Sequence, residues 1–186
     1  MQFTIFGDNS REGSYLLCID LQAPVRVAFG RFRKGREIPL DQGSYLYVGS
    51  ALGAGRRAFP LAGRLLRHAS RSGNREPHAI QGELLRFFQD TGYDLKGKKS
   101  LKKLHWHIDY LLDLPEAEIA HIVMALSPAR LESRLATLVA SMPGVTCVAD
   151  RLGAQDAASG THLFRIADTG KLLENLKQSI PFILSS

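Results

Sequence analysis

The chain has 186 residues, 45% of them apolar and 23% charged, which is the length and composition of a single soluble globular domain with a full core. No window approaches 18 uncharged apolar residues, and the opening stretch MQFTIFGDNSREG lacks the basic start and long apolar core of a secretory signal, so neither a membrane span nor export is expected. The formal net charge of +6 is concentrated: residues 56–103 hold 12 Lys/Arg against 4 Asp/Glu, whereas the rest of the chain holds 12 against 14. A focused positive field of this kind suits a polyanion, although a basic face kept for solubility has the same composition.

Residues 14–21, SYLLCIDL, alternate Tyr15, Leu17, Ile19 and Leu21, the period of a strand. A second strand is expected over 25–32 after Pro24, and a basic turn with Arg31, Arg33, Lys34 and Arg36 leads through EIPL to a third strand over 44–49. Leu61, Ala62, Leu65 and Ala69 share one helical face, which predicts a helix over 60–71 with Pro60 near its start. Residues 72–104 differ in texture: loop, an amphipathic helix marked by Ile80, Leu84, Leu85, Phe87 and Phe88, then the basic loop KGKKSLKK. At about 33 residues this segment reads as a helical insertion within one domain spanning 1–186, because it is too short to fold alone. LHWHIDYLL restores apolar density, and EIAHIVMAL reads as a buried strand. Ser127 and Pro128 have the character of an N-cap and a first-turn residue for a helix over 128–141. VTCVA and THLFRI complete the strands, and a last helix is expected over about 169–180. Interleaved helices and tightly connected strands predict an α+β fold, a small mixed or antiparallel sheet flanked by helices. Cys18 and Cys147 lie in apolar runs without a Cys-x-x-Cys pair, which reads as two buried thiols of a cytoplasmic protein.

Three places carry possible chemistry. Gly13-Ser14-Tyr15 and Tyr47-Val48-Gly49 each set an aromatic hydroxyl beside a glycine, where another backbone or a ligand could approach. Two core tyrosines bonded to backbone would have the same sequence. Arg64, Arg67 and Arg71 fall on one helical face, with His68 between that face and the apolar stripe. The stripe of cations would suit phosphate or simply water. Glu132 sits at the edge of the stripe formed by Leu131, Leu135, Leu138 and Val139, where a carboxylate could hold a divalent metal or a proton, or pair with an arginine.

The segments GSYLL, GSYLYVGSALG, RLLRH, HWHIDYLL and THLF, in that order from Gly13 to about Arg165, resemble the GIY-YIG nuclease superfamily, and more specifically its domain-of-unknown-function 123 family. The resemblance implies a GIY-YIG-like fold and a DNA endonuclease dependent on one Mg²⁺ or Mn²⁺ ion. Tyr15 or Tyr47 would help activate water, Arg64 would stabilise charge on the phosphate, and Glu132 would hold the metal. Arg67, His68, Arg71, Lys98, Lys99, Lys102 and Lys103 would then contact DNA. Where the family often carries cysteines, this chain has Ser133 after the glutamate and Gln155-Asp156-Ala157 before the HLF motif, so a thiolate metal site is not expected.

His105, His107 and Asp109 alternate, and on a strand they would share a face, with Asp156 and His162 available as further ligands. Three functions compete: a metal-dependent endonuclease, a nucleic-acid-binding module of the same fold without catalysis, and a metal hydrolase built on that His/Asp face.

Overall fold

The computed structural model describes residues 2–7, 9–53, 59–73, 75–93, 102–152 and 161–185. The strands are β1 (Phe3–Phe6), β2 (Gly13–Leu21), β3 (Val25–Val27), β4 (Ile38–Leu40), β5 (Gly43–Ala51), β6 (Ala117–Leu126), β7 (Val145–Cys147) and β8 (Leu163–Ile166). The α-helices are α1 (Pro60–His68), α2 (Gln81–Asp90), α3 (His107–Leu112), α4 (Glu132–Ala140) and α5 (Thr169–Leu184). Six strands form one sheet in the order β1-β6-β2-β5-β8-β7, with β1 parallel to β6 and every other neighbouring pair antiparallel. β3 and β4 make a separate two-stranded ribbon, joined through a 3-10 turn at Phe32–Gly35.

The central strands are covered on both faces, which is why β2 is apolar at almost every position rather than only at alternate ones. Tyr15, Leu17 and Ile19 enter a core with Leu61 and Leu65 of α1, Leu84 of α2 and Ile108 and Leu111 of α3. Leu16 and Cys18 enter a second core with Leu135 and Val139 of α4 and Leu172 and Leu176 of α5. The result is a mixed sheet between two helical layers, an α+β fold. The segment before Tyr93 is fastened to the first layer, since Ile80, Leu84 and Phe88 are buried in the same core as α1.

Several expectations change. β1 has no counterpart in the sequence reading. The strand expected over 25–32 ends at Val27. Ser127 closes a turn, its Oγ accepting from the Ala129 N–H, and α4 begins only at Glu132. α5 extends to Leu184 and is capped by Asp168, whose side chain accepts from the Lys171 N–H. Cys147 is exposed on the edge strand β7, while Cys18 is buried and its thiol is pushed up to about 12 by desolvation. HWHID is not a strand: α3 starts at His107, and its apolar residues Ile108, Leu111 and Leu112 follow helical spacing into the core. Among the described residues no helix is long and apolar enough to cross a membrane.

Candidate active site

β2 and β5 pair antiparallel so that Tyr15 faces Gly49 and Leu17 faces Tyr47. Tyr15 and Tyr47 are therefore diagonal neighbours on one face, their ring centroids 6.4 Å apart. Gly49 is small because Tyr15 lies across it: a Cβ there would stand 2.6 Å from the phenol carbon Cζ and the hydroxyl oxygen. The glycine makes room for a side chain of its own sheet, not for a DNA backbone.

α1 brings His68 against both rings, 5.6 Å from Tyr15 and 6.4 Å from Tyr47 between centroids. Tyr15 Oη lies 2.8 Å from His68 Nε2, and His68 Nδ1 lies 3.3 Å from Asp109 Oδ1. Tyr15, His68 and Asp109 are all fully buried, so the sequence expectation that His68 contacts DNA is corrected. Burial drives the imidazole pKa down to about 4, outweighing the Asp109 carboxylate beside it, so His68 is neutral near pH 7. Its Nε2 can then accept the Tyr15 proton while Nδ1–H faces the carboxylate. Burial and the neighbouring Tyr47 hold the Tyr15 hydroxyl well above the ordinary phenol value.

Asp109 is fixed from several sides. Its Oδ2 accepts from the N–H groups of His105 (2.9 Å) and Trp106 (3.1 Å), which caps α3, and from Arg67 Nη2 at 2.8 Å. Burial alone would raise its pKa, but His68, the His105 N–H and the Lys102 charge win and hold it well below the carboxylate range. Trp106, the single tryptophan of the chain, lies under the Arg64 guanidinium, 3.6 Å from the ring centroid. That cation–π stack orients Arg64 without neutralising it.

Glu132 opens α4 beside β5 and β8. Ser50 Oγ donates to its Oε2, and His162 Nδ1 lies 2.8 Å from its Oε1. Burial pushes this carboxyl upward, and the His162 and Ser50 contacts, with Arg64 nearby, bring it below its ordinary value. Arg64 and Glu132 perturb both phenols, so the two tyrosines, the arginine and the glutamate form one electrostatic neighbourhood drawn from β2, β5, α1 and α4.

A family model, domain of unknown function DUF123, matches residues 14–183, nearly the whole chain. The chain belongs to the DUF123 family. No curated protein and no solved structure matches it.

Within this DUF123 chain the remaining site residues separate clearly. Arg67 and Arg71 are not a free phosphate-binding stripe. Arg67 binds Asp109 and the Lys103 carbonyl, while Arg71 binds the Ala117 carbonyl and Glu118. Lys102 is buried, its ammonium donating to the Ser70 carbonyl, and desolvation lowers its pKa to about 8. Lys103 is exposed; Lys98, Lys99 and Asp156 lie outside the described residues. His105, His107 and Asp109 do not form a shared face, because Asp109 turns inward on a helix. Among the described residues no group of three or more His, Cys, Asp or Glu is arranged to hold a metal ion. Ser50 and Trp106 were not anticipated. Ser50 belongs to the YVGS run and Trp106 to HWHID, but their partners come from remote elements.

Proposed function

We propose that this protein is a metal-dependent endonuclease acting on DNA. The convergence of Tyr15, Tyr47, Arg64 and Glu132, backed by the Tyr15–His68–Asp109 chain, carries the reading. Glu132 fits Mg²⁺ as a single protein ligand: it is ionised, partly exposed, and each oxygen keeps a lone pair beyond its present partner. Mg²⁺ commonly uses one carboxylate together with waters and substrate phosphate oxygens. When bound it would supply Lewis-acid stabilisation of the phosphate.

The chain's own groups divide the remaining work. Tyr47, at 6% exposure against 0% for Tyr15, is the phenol nearer solvent and orients the attacking water. Neutral His68 accepts the Tyr15 hydroxyl hydrogen bond at Nε2 while its Nδ1–H faces Asp109, which fixes the Tyr15 ring beside Tyr47. Arg64, held over Trp106, faces the charge that grows on the phosphate.

Cleavage of labelled duplex, nicked, single-stranded and branched DNA with Mg²⁺ or Mn²⁺, and its loss in EDTA, tests the reading. Glu132→Gln should abolish cleavage and leave binding nearly intact, because the amide keeps size and loses charge. Arg64→Ala should lower the cleavage rate about 10²–10³-fold, the usual loss for a transition-state donor. No metal-dependent cleavage on any of these substrates would sink the enzyme. A non-catalytic nucleic-acid-binding module would then replace it, a reading favoured by one observation: Tyr15 has no surface open to water.

A further inference from the structure

A second site lies beside α3. Phe32, Arg33, His107, Asp150 and Arg151 line an open cleft of about 440 Å³. The Phe32 and His107 rings stand 5.5 Å apart at 60°, and the Arg33 guanidinium lies 5.5 Å from the Phe32 centroid. Among the described residues four non-glycine residues have positive φ: Asn9, Arg33, Lys34 and Arg151. Asparagine tolerates that conformation, whereas long side chains adopt it only against a steric clash of Cβ with the backbone. Two of the three strained basic residues line this one cleft, and the third adjoins it in sequence. Strain of this kind persists where a ligand clamp requires it.

We infer that this cleft binds one unpaired nucleotide of a DNA strand, with its base against Phe32 and His107 and its phosphate between Arg33 and Arg151. Rings alone would fit many apolar ligands, and arginines alone any anion, but a nucleotide satisfies both. Asp150 adds an acceptor suited to an exocyclic amino group. The cleft is open rather than enclosing, as a site must be if the strand enters and leaves it. A free small molecule would ordinarily be buried over most of its surface. His107, which lines the cleft, directly follows Trp106, the platform of Arg64, so α3 and its cap connect the two sites. The inference rests on the proposed DNA-binding function and adds its substrate class: DNA with a bulge, flap or single-stranded junction.

The test uses the full chain in EDTA, so that binding is read without cleavage. Fluorescence anisotropy compares a perfect duplex with the same duplex bearing a one-nucleotide 2-aminopurine bulge. The wild type should bind the bulge about tenfold more tightly, with a change in 2-aminopurine emission, since stacking of a base on an aromatic side chain is worth about that much. The double variant Arg33→Gly/Arg151→Gly relieves both positive-φ strains, so it should fold at least as well. It should lose the preference, and Phe32→Ala should reduce it. Equal affinity of the wild type for both duplexes overturns the inference, as does a preference that survives in the double variant. Cleavage with Mg²⁺ is scored separately: bulge preference without cutting keeps this site and removes the nuclease, and cutting without preference does the reverse.

Discussion

Gly49 stands opposite Tyr15 in the sheet, and any side chain there must displace the ring that carries the candidate relay. Its backbone is ordinary extended strand, so the glycine is needed for space, not for conformational freedom. Gly49→Ala should therefore act as an overpacking substitution and cost about 1–3 kcal/mol of stability. The displaced phenol should also part from His68 Nε2. Urea unfolding gives the first effect, and the imidazole nitrogen shifts of His68 in NMR report the second. An alanine variant with wild-type stability and unchanged His68 signals would show that the ring does not cross this residue. Ser50 next to it is small for a different reason, since its hydroxyl holds Glu132. Two adjacent small residues thus serve a ring and a carboxylate from other elements.

Elements whose identity rests on their own periodicity were legible. The alternation in residues 14–21, the apolar stripe of α1 and the run EIAHIVMAL all match the structure, because core burial enforces those periods. Where a remote contact decides, the sequence misleads. HWHID alternates like a strand but becomes a cap and a helix, because the Asp109 carboxylate turns back to the N–H groups of His105 and Trp106. The Ser127-Pro128 start signal is used by a turn, and β1 is a four-residue strand with too little pattern to stand out. The site divides the same way. The pairing of the two tyrosine-bearing strands follows from their own alternation, whereas the contacts of His68 and Asp109 depend on partners far along the chain. Asp109 joins α1 to α3, and removing it strips Arg67 of its charge partner and α3 of its cap. Asp109→Ala should cost roughly 3–5 kcal/mol, the range for breaking one side of a buried ion pair, and Asp109→Asn should cost less because an acceptor oxygen remains. Unfolding followed by Trp106 fluorescence reads this junction directly. An alanine variant within about 1 kcal/mol of wild type would contradict the assigned role.

At the scale of the whole molecule, part of the positive charge that residues 56–103 carry is spent on carboxylates of the protein itself among the described residues. Arg67, Arg71 and Arg75 pair with Asp109, Glu118 and Asp113, fastening α1 and the loop that follows it to α3 and β6. Two buried histidines sit inside these networks. His78 Nε2 lies 2.9 Å from the Leu112 carbonyl, while its Nδ1 accepts from the Ile119 N–H at 3.2 Å. Adding a proton at Nδ1 would set two donors against each other. Burial, with Arg71 nearby, brings His78 to about 4, the same value as His68. In the unfolded chain each imidazole takes up a proton near pH 6.5, whereas in the folded protein it stays neutral until about pH 4. Unfolding therefore absorbs protons between these values, so stability rises with pH through the window and is lost as pH falls through it. Each histidine contributes a loss on the order of 3 kcal/mol between pH 6.5 and 4. Partly buried His107 and His121 shift in the same direction. The lowered carboxylates Asp113 and Glu132 act from the foot of this window downward, because their stabilisation is lost only as pH falls past the ordinary carboxylate value. Urea melts at pH 7.0, 5.5 and 4.5 separate the two groups: the histidines produce a decline already evident at pH 5.5, and the carboxylates do not. His78→Gln, which keeps a donor and an acceptor without a titrating proton, should be less stable at pH 7 and show a shallower decline. Stability that stays flat down to pH 4.5 would mean that neither imidazole is held neutral by the fold.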